Sequence, residues 1–538
     1  MGRWPSRIRT RPLRGLTSVA VIGLLGLGAC TVQPGEPGPA DLRFAVDVTA
    51  ARCTNAISPL IYGTNGGASV GTNGFGSLRS GGNRLTAYNW ENNASNAGSD
   101  WQFQNDGFLS ESNTPGAAIL PTVDRATSGD AAAIITVPVV DHVAADKNGG
   151  GDVRNSGANY LSTRFRQNHA AKGSPLATAP NAGDGHVYQD EFVNWLRTTR
   201  PNAELIFSLD NEPDLWSSTH AEIHPAPVTY AELVQRNVTY ATAIKRVAPS
   251  SLVIGPVNYG FNGFESLQNA PDAGGRNFLD FYLDQMRAAD AAAGRRLVDV
   301  LDLHWYPEAR GGGQRIVGGD NSAAVAEARV QAPRSLYDPG YVEDSWITND
   351  YGYGAVNLIP RTRSRIAARN PGMGLGFTEW NFGGGNHISG ALATADVLGA
   401  FGSQGVRLAN LWEMSADERF TYAAFRAFRN YDGAGGRFGD RSCPATTSDL
   451  ATATVYASTF AGAPQRSVIV AVNKSTSSKR AAISLTSAGS PYTRAKVFTI
   501  TAGGGADVVA RPDITTVATN AFNHTMPAQS VSVIVPGR

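Results

Sequence analysis

Cysteine is almost missing from this chain of 538 residues, which has three. That is too few for a cysteine-based zinc site or for the dense disulfide framework that staples small secreted domains. Neither sign of charge is in excess, since 46 basic and 45 acidic side chains leave a net +1. The balance removes the electrostatic case for nucleic acid, which binders meet with basic residues clustered on one face. Charged residues of either sign are scarce, at 17% against roughly 25% in ordinary soluble domains. Gly and Pro, 60 and 29 residues, stay below the roughly 25–30% that marks low-complexity disorder. HExxH, the Walker A pattern and GxGxxG are all absent, so zincin, P-loop and dinucleotide-binding readings lose their usual support. Beyond the first thirty residues no apolar run approaches the ~18 that a membrane span needs.

What is present is a 42% hydrophobic chain with a neutral, polar surface, long enough for at least two cores. Its start reads as an address. Arg3, Arg7, Arg9, Arg11 and Arg14 precede an apolar run from Leu16 to Leu27, then Leu27-Gly28-Ala29-Cys30. This looks like a bacterial lipobox, with residues 1–29 removed and Cys30 lipidated; a plain secretory peptide with a chance cysteine is the alternative. Residues 30–41 then form a Pro/Gly tether. The expected setting is an exported bacterial protein, lipid-anchored at the surface or periplasmic side, or secreted. Cys53 and Cys443 are left over, either a disulfide or two buried thiols, and the sequence leaves both open.

Between residues 57 and 430 short apolar runs alternate with helical patterns. Ile134–Val140, Leu205–Leu209, Leu252–Val257, Val298–Leu303, Leu375–Thr378 and Val406–Leu411 read as strands; Val187–Leu196, Thr229–Ala248 and Phe278–Met286 read as helices. Such alternation means a parallel sheet covered on both faces, and its length suits a (β/α)8 TIM barrel. From 431 to 538 the pattern becomes short alternating strands without helices, an all-β sandwich. The segment 42–56 carries an N-terminal strand expected to join it.

In a parallel barrel the residues just past the strand ends line the active site. Leu205–Leu209 runs into Asp210-Asn211-Glu212-Pro213, and the strand ending at Thr378 delivers Glu379. Two glutamates at one mouth suit glycoside cleavage, where one carboxyl protonates the leaving oxygen and another acts at the anomeric carbon. His304, Trp305 and Tyr306 end another strand, and Trp412 ends the last. Trp216, Trp346 and Trp412, with His304, Tyr306 and Asn211, are the candidate sugar-binding residues; barrel core is the competing reading for the tryptophans.

Seven stretches carry a resemblance: IYGTN (61–65), GGNRLTAYNWENNASNAGSDW (81–101), DKNG (146–149), VYQDEFVNWL (187–196), LDNEPDLW (209–216), TEWNFGGGNHISG (378–390) and LWEM (411–414). In this order they resemble glycoside hydrolase family 44, endo-acting β-1,4-glucanases and xyloglucanases of the (β/α)8 clan A. The resemblance implies a retaining mechanism with Glu212 as acid/base and Glu379 as nucleophile, their carboxyls roughly 5–5.5 Å apart. The charge on Glu379 is expected to raise the pKa of Glu212. Asn211 would meet a sugar 2-hydroxyl, and Tyr306 or His304 would orient Glu379. No organic cofactor is implied. A structural calcium is, on Glu91, Asn181 and Asp184, with Asn181 standing where an aspartate is expected. A rival loop, Asp146, Asn148 and Asp152, matches a calcium loop only in part.

The expected function is thus endo-hydrolysis of plant-type β-glucans, namely xyloglucan, carboxymethylcellulose-type cellulose and glucomannan, by a monomer. Another clan A activity (mannanase or exo-glycosidase) and a non-catalytic surface lipoprotein that captures polysaccharide are the alternatives.

Overall fold

The computed structural model describes residues 31–173 and 175–538. The expected leader and Cys30 lie outside the described residues. Eight parallel strands close into a barrel: β1 (Gly63–Thr64), β2 (Ser77–Ser80), β3 (Ala132–Val137), β4 (Leu205–Leu209), β5 (Val253–Tyr259), β6 (Val300–Trp305), β7 (Gly374–Trp380) and β8 (Leu408–Leu411). A helix follows each strand: α1 (Val70–Asn73), α2 (Leu120–Ser128), α3 (Gln189–Thr199), α4 (Tyr230–Val247), α5 (Phe278–Ala293), α6 (Leu358–Arg369), α7 (Ile388–Gln404) and α8 (Arg419–Arg429). Among the described residues no helix is long and apolar enough to cross a membrane.

Sequence and geometry meet in the strands. Ala132, Ile134, Ile206, Ile254, Val300 and Leu408 pack together inside the barrel, with Leu60. Their chain neighbours Ala133, Ile135, Leu205, Phe207 and Leu301 belong to the larger core shared with the helices. Both faces are apolar there, so the strands read as unbroken hydrophobic runs. Towards the mouth the inward positions turn polar, and β6 shows it as Val300-Leu301-Asp302-Leu303-His304. The two strands not foreseen from sequence, β1 and β2, hold two and four residues and lack such a run.

The second domain is a large curled, mostly antiparallel sheet whose ends fold over one core. Leu42–Asp47 lies in it, parallel to Lys479–Ala488 and antiparallel to Ala445–Thr447. Leu42, Phe44, Val46, Ile469, Ile483, Leu485 and Phe522 meet inside. Ala453–Phe460, Val509–Ala518 and Ala521–Met526 are strands with no clear period in the sequence. The first is buried on both faces and the second is largely exposed, so alternation is hidden in one and absent in the other. Cys53 is bonded to Cys443, tying the segment that leads into the barrel to the strand Arg441–Cys443.

The two domains meet at α7, in which every residue up to Gly402 is buried. On strand Ala463–Asn473, Val468, Val470 and Val472 join the barrel core while Ile469 and Ala471 join the sandwich core. Inside this contact Asp396 of α7 receives Lys474 Nζ at 2.7 Å, with side chains 0% and 1% exposed. Tyr456 and Tyr337 also donate to the Asp396 carboxylate. A buried charge left alone costs far more than the pair contributes. Lys474→Met should therefore lower stability by about 3–5 kcal/mol in urea denaturation. The double variant Lys474→Met/Asp396→Leu should lose less than Lys474→Met.

Candidate active site

The site is built at the C-terminal ends of β4, β6 and β7, with one residue from β2. After β4 the chain turns sharply, and Asp210 and Glu212 both take positive φ, 69° and 44°. Non-glycine residues in that region are strained and need outside support. The Asp210 carboxylate supplies it by accepting the Thr86 hydroxyl at 2.6 Å, the Val139 N–H at 2.6 Å and the Asn211 N–H at 2.8 Å. The Glu212 N–H donates to the Val257 carbonyl at 3.0 Å. On β7 the register against β6 slips by one residue, Asp302 opposing Gly376 while His304 opposes Glu379. This bulge lets Thr378 and Glu379, adjacent in sequence, both reach groups inside the mouth.

Glu379 is held at both oxygens. Arg79 donates to Oε1 at 2.8 Å and the Tyr306 hydroxyl to Oε2 at 2.9 Å. Arg79 also donates to Asn211 Oδ1 at 2.8 Å, joined there by the Gly82 N–H at 3.2 Å. With Oδ1 taken, Asn211 offers its amide NH2 to a ligand. Gly82 lies at φ 96° and a Cβ there would stand 2.7 Å from the Trp412 ring, so only glycine brings these groups together. His304 Nδ1 lies 2.8 Å from Glu212 Oε1 and 3.5 Å from Glu379 Oε2. Of the two candidates for orienting Glu379, Tyr306 makes the contact, and the shorter contact of His304 is to Glu212. One donor atom each from Glu212, His304 and Glu379 fits within 4.8 Å of the others.

The electrostatics separate the two carboxyls. Burial pushes Glu212 up to about 7, with Asp100 adding to the rise and Arg79 opposing it. The expected cause, the charge on Glu379, is not what lifts it, because Arg79 sits directly on Glu379 and compensates that charge. Burial also pushes His304 down to about 3 against the pull of Glu379, so its ring is neutral.

Of the aromatic residues expected to bind sugar, Trp216 does not face the mouth. It is fully buried, packed against the His224 ring at 5.2 Å and beneath Arg236. Trp305 and Trp380 are core as well. Trp412 stays partly exposed and edges a depression of about 630 Å3 with Gly82, Asn83, Asp100, Trp101 and Phe108. Trp346 clusters with Phe261 and Tyr351, partly packed against the barrel core and outside that depression.

Glu91 is buried, and its carboxyl is pushed up to about 7 by burial and then by Asp184 and Glu191, against Lys172 and Arg166. Asn181 and Asp184 are exposed in a loop, where Asn181 Oδ1 accepts the Gly183 N–H and Asp184 Oδ1 the His186 N–H. Glu91, Asp184 and Asn181 are oxygen donors of the kind a hard cation takes, while Glu191 Oε1 already receives Lys172 Nζ at 2.5 Å. In the rival loop Asp146 is taken by Arg164 and Asp152 by Arg154.

Sequence reasoning passed over Arg79, Glu191, and the support that Asp302 and Thr378 give. Arg79 had a signal, an arginine between small residues in Ser77-Leu78-Arg79-Ser80 just before a Gly-Gly turn.

Two glutamates at the mouth of a closed (β/α)8 barrel, one paired with an arginine and one pushed up to about 7 by burial, are the parts of a glycoside hydrolase. The comparisons agree. The profile of glycoside hydrolase family 44 matches residues 94–309, a span that contains Glu212 and ends before Glu379. Endoglucanase A of Paenibacillus lautus is 42% identical over 514 residues, 92% of this chain and 72% of the relative. A Paenibacillus polymyxa family 44 xyloglucanase solved with xyloglucan superposes with TM-score 0.87 at 38% identity, covering 92% of this chain and 99% of that one. The family 44 endoglucanase of Clostridium thermocellum gives TM-score 0.87 at 39% identity over the same shares. The chain belongs to glycoside hydrolase family 44.

Because one guanidinium fixes both Glu379 and Asn211, Arg79→Lys should lower kcat about 10²-fold while the protein stays folded, a loss typical of ~1 Å misplacement at a reacting centre. Reducing-end release from carboxymethylcellulose, with circular dichroism as the fold control, reads it.

Proposed function

We propose that the chain is a retaining endo-β-1,4-glucanase acting on xyloglucan, soluble cellulose derivatives and glucomannan, with Glu379 as nucleophile and Glu212 as acid/base. The observation that carries this reading is the closeness of the carboxyls, one oxygen of each lying within 4.8 Å of one of the other. Inverting enzymes hold theirs roughly 6.5–9.5 Å apart to admit a water. Glu379, its charge stabilised by Arg79 and Tyr306, attacks the anomeric carbon. The glycosidic C–O bond breaks, and the Glu212 proton passes to the leaving oxygen. A glycosyl ester on Glu379 remains. Glu212, now ionised, takes a proton from water as that water attacks the same carbon and frees Glu379. Asn211 donates its amide hydrogen to the sugar 2-hydroxyl, a bond that strengthens as positive charge grows on the ring. Trp412 with Trp101 on one side, and Trp346 with Tyr351 on the other, give a neutral glucan aromatic faces along an open groove.

The same reading assigns residues 57–430 to catalysis and 42–56 with 431–538 to a supporting sandwich. It has the protein exported as a monomer, anchored through Cys30 by residues 30–41. It also gives Glu91, Asn181 and Asp184 a calcium ion, Asn181 supplying a neutral oxygen.

Removing Glu379 and removing Glu212 should do different damage. Glu379→Gly with azide and an activated aryl glycoside should give the glycosyl azide of inverted configuration. Glu212→Gly should give the retained one, and should suffer most on poor leaving groups. NMR of wild-type hydrolysis should show the β anomer first; an α anomer would assign inversion and remove Glu379 as nucleophile. EDTA should lower the melting temperature and calcium restore it, the stabilisation being about 2.7 kcal/mol when calcium stands at ~100 times its Kd. Glu91→Gln should abolish the response.

A further inference from the structure

Behind the catalytic pair lies a chain of hydrogen bonds whose polarity is fixed by counting protons. Asp302 is wholly buried, and both its oxygens accept from Thr378: Oδ1 from the N–H at 2.9 Å, Oδ2 from the hydroxyl at 2.6 Å. Burial raises the Asp302 carboxyl to about 6, so near pH 7 it is ionised, and the one hydrogen of the threonine hydroxyl is spent on it. At its other contact, 3.2 Å from His304 Nε2, Thr378 Oγ1 must therefore accept, so the ring carries its hydrogen on Nε2. A neutral imidazole has only one N–H. Nδ1 is then a bare lone pair, 2.8 Å from Glu212 Oε1. That contact becomes a hydrogen bond only when Glu212 brings the proton.

We propose that Asp302 and Thr378 are positioning residues that lock the tautomer of His304, so that its bare Nδ1 holds Glu212 in the protonated form. This rests on the reading of Glu212 as the acid. An ionised Glu212 would face the Nδ1 lone pair with a negative oxygen. The relay thus adds to burial in keeping Glu212 a carboxylic acid until a glycosidic oxygen arrives to take its proton. The neutral state of His304 agrees with it. The other groups facing Glu212 are Arg79, which favours its ionised form, and Asp100, Asp214, Glu379, Tyr259 and Tyr306. Asp302 faces Arg79 and Glu379. None of these is changed by the variants below.

Asp302→Asn reverses the relay without changing its shape. The amide NH2 donates to Thr378 Oγ1, freeing the hydroxyl to donate to His304 Nε2. Nδ1 then carries the hydrogen and favours ionised Glu212. A wrong tautomer imposed by an Asp→Asn change can disable a site whose geometry is intact. The alkaline limb of kcat/KM on a poor-leaving-group substrate should fall near pH 7 in the parent. In Asp302→Asn it should move about one pH unit lower or more, a charge-assisted hydrogen bond being equivalent to roughly that shift. Thr378→Val should move it in the same direction, and Thr378→Ser should keep it in place. NMR of 15N-histidine-labelled parent enzyme, assigned by difference with His304→Gln, should show hydrogen on Nε2 and none on Nδ1, and Asp302→Asn should show the reverse. Hydrogen on Nδ1 in the parent, or an unmoved limb in a folded Asp302→Asn, overturns the relay. A Glu212→Gln enzyme with parental rate on poor leaving groups would instead overturn the assignment of Glu212 as acid, and the NMR result would stand apart from it.

Discussion

Arg79 carries its charge where its side chain has no contact with water, and Glu379 at 2.8 Å is the carboxylate that compensates it. The dependence runs both ways, since an unpaired ion at either position would carry several kcal/mol of desolvation cost. The second arm of the guanidinium fixes Asn211 and, through it, the Gly82 turn and the Trp412 ring above it. One rigid fork thus aligns Glu379 of β7, the Asn211 amide after β4 and the Trp412 ring after β8. A lysine, a point charge on a flexible stem, cannot make these two directional contacts at once.

That pairing also divides the labour of the two glutamates. Glu379 is held by Arg79 and Tyr306, while Glu212, whose opposing side chain is a neutral imidazole, answers mainly to burial. Two carboxyls at one mouth thus meet different surroundings, an arginine and a tyrosine for Glu379 and a neutral imidazole for Glu212. The backbone distortions belong to the same arrangement. Positive φ at Asp210 and Glu212, and the bulge at Thr378–Glu379, aim side chains where regular strands would not. The cost is met by the Asp210 hydrogen bonds and by a barrel whose helix α7 is clamped by the second domain.

Much of this was legible in the chain. Parallel strands covered on both faces must be apolar throughout, so the longer ones stand out as runs, and residues at their ends belong to the mouth. That is why Glu212 and Glu379 could be singled out without coordinates. Short strands such as Gly63–Thr64, and the two-sided strand Ala453–Phe460, escape such a reading because neither length nor period marks them. Trp216 follows a strand as Trp412 does, yet one is core and the other faces the groove. The difference lies in which way a loop turns, and composition does not record that.

The sequence by itself therefore determined the barrel, the second β domain and the two carboxylates, because these follow from hydrophobic period and from order along the chain. Tertiary structure alone decided which group answers which. Arg79, Asn211 and Glu379 are 132 and 300 residues from one another along their contacts, and Thr378 meets His304 across 74. Protonation states arise from burial and from neighbours within ~4–6 Å, and those are set by closure of the barrel rather than by proximity in the chain.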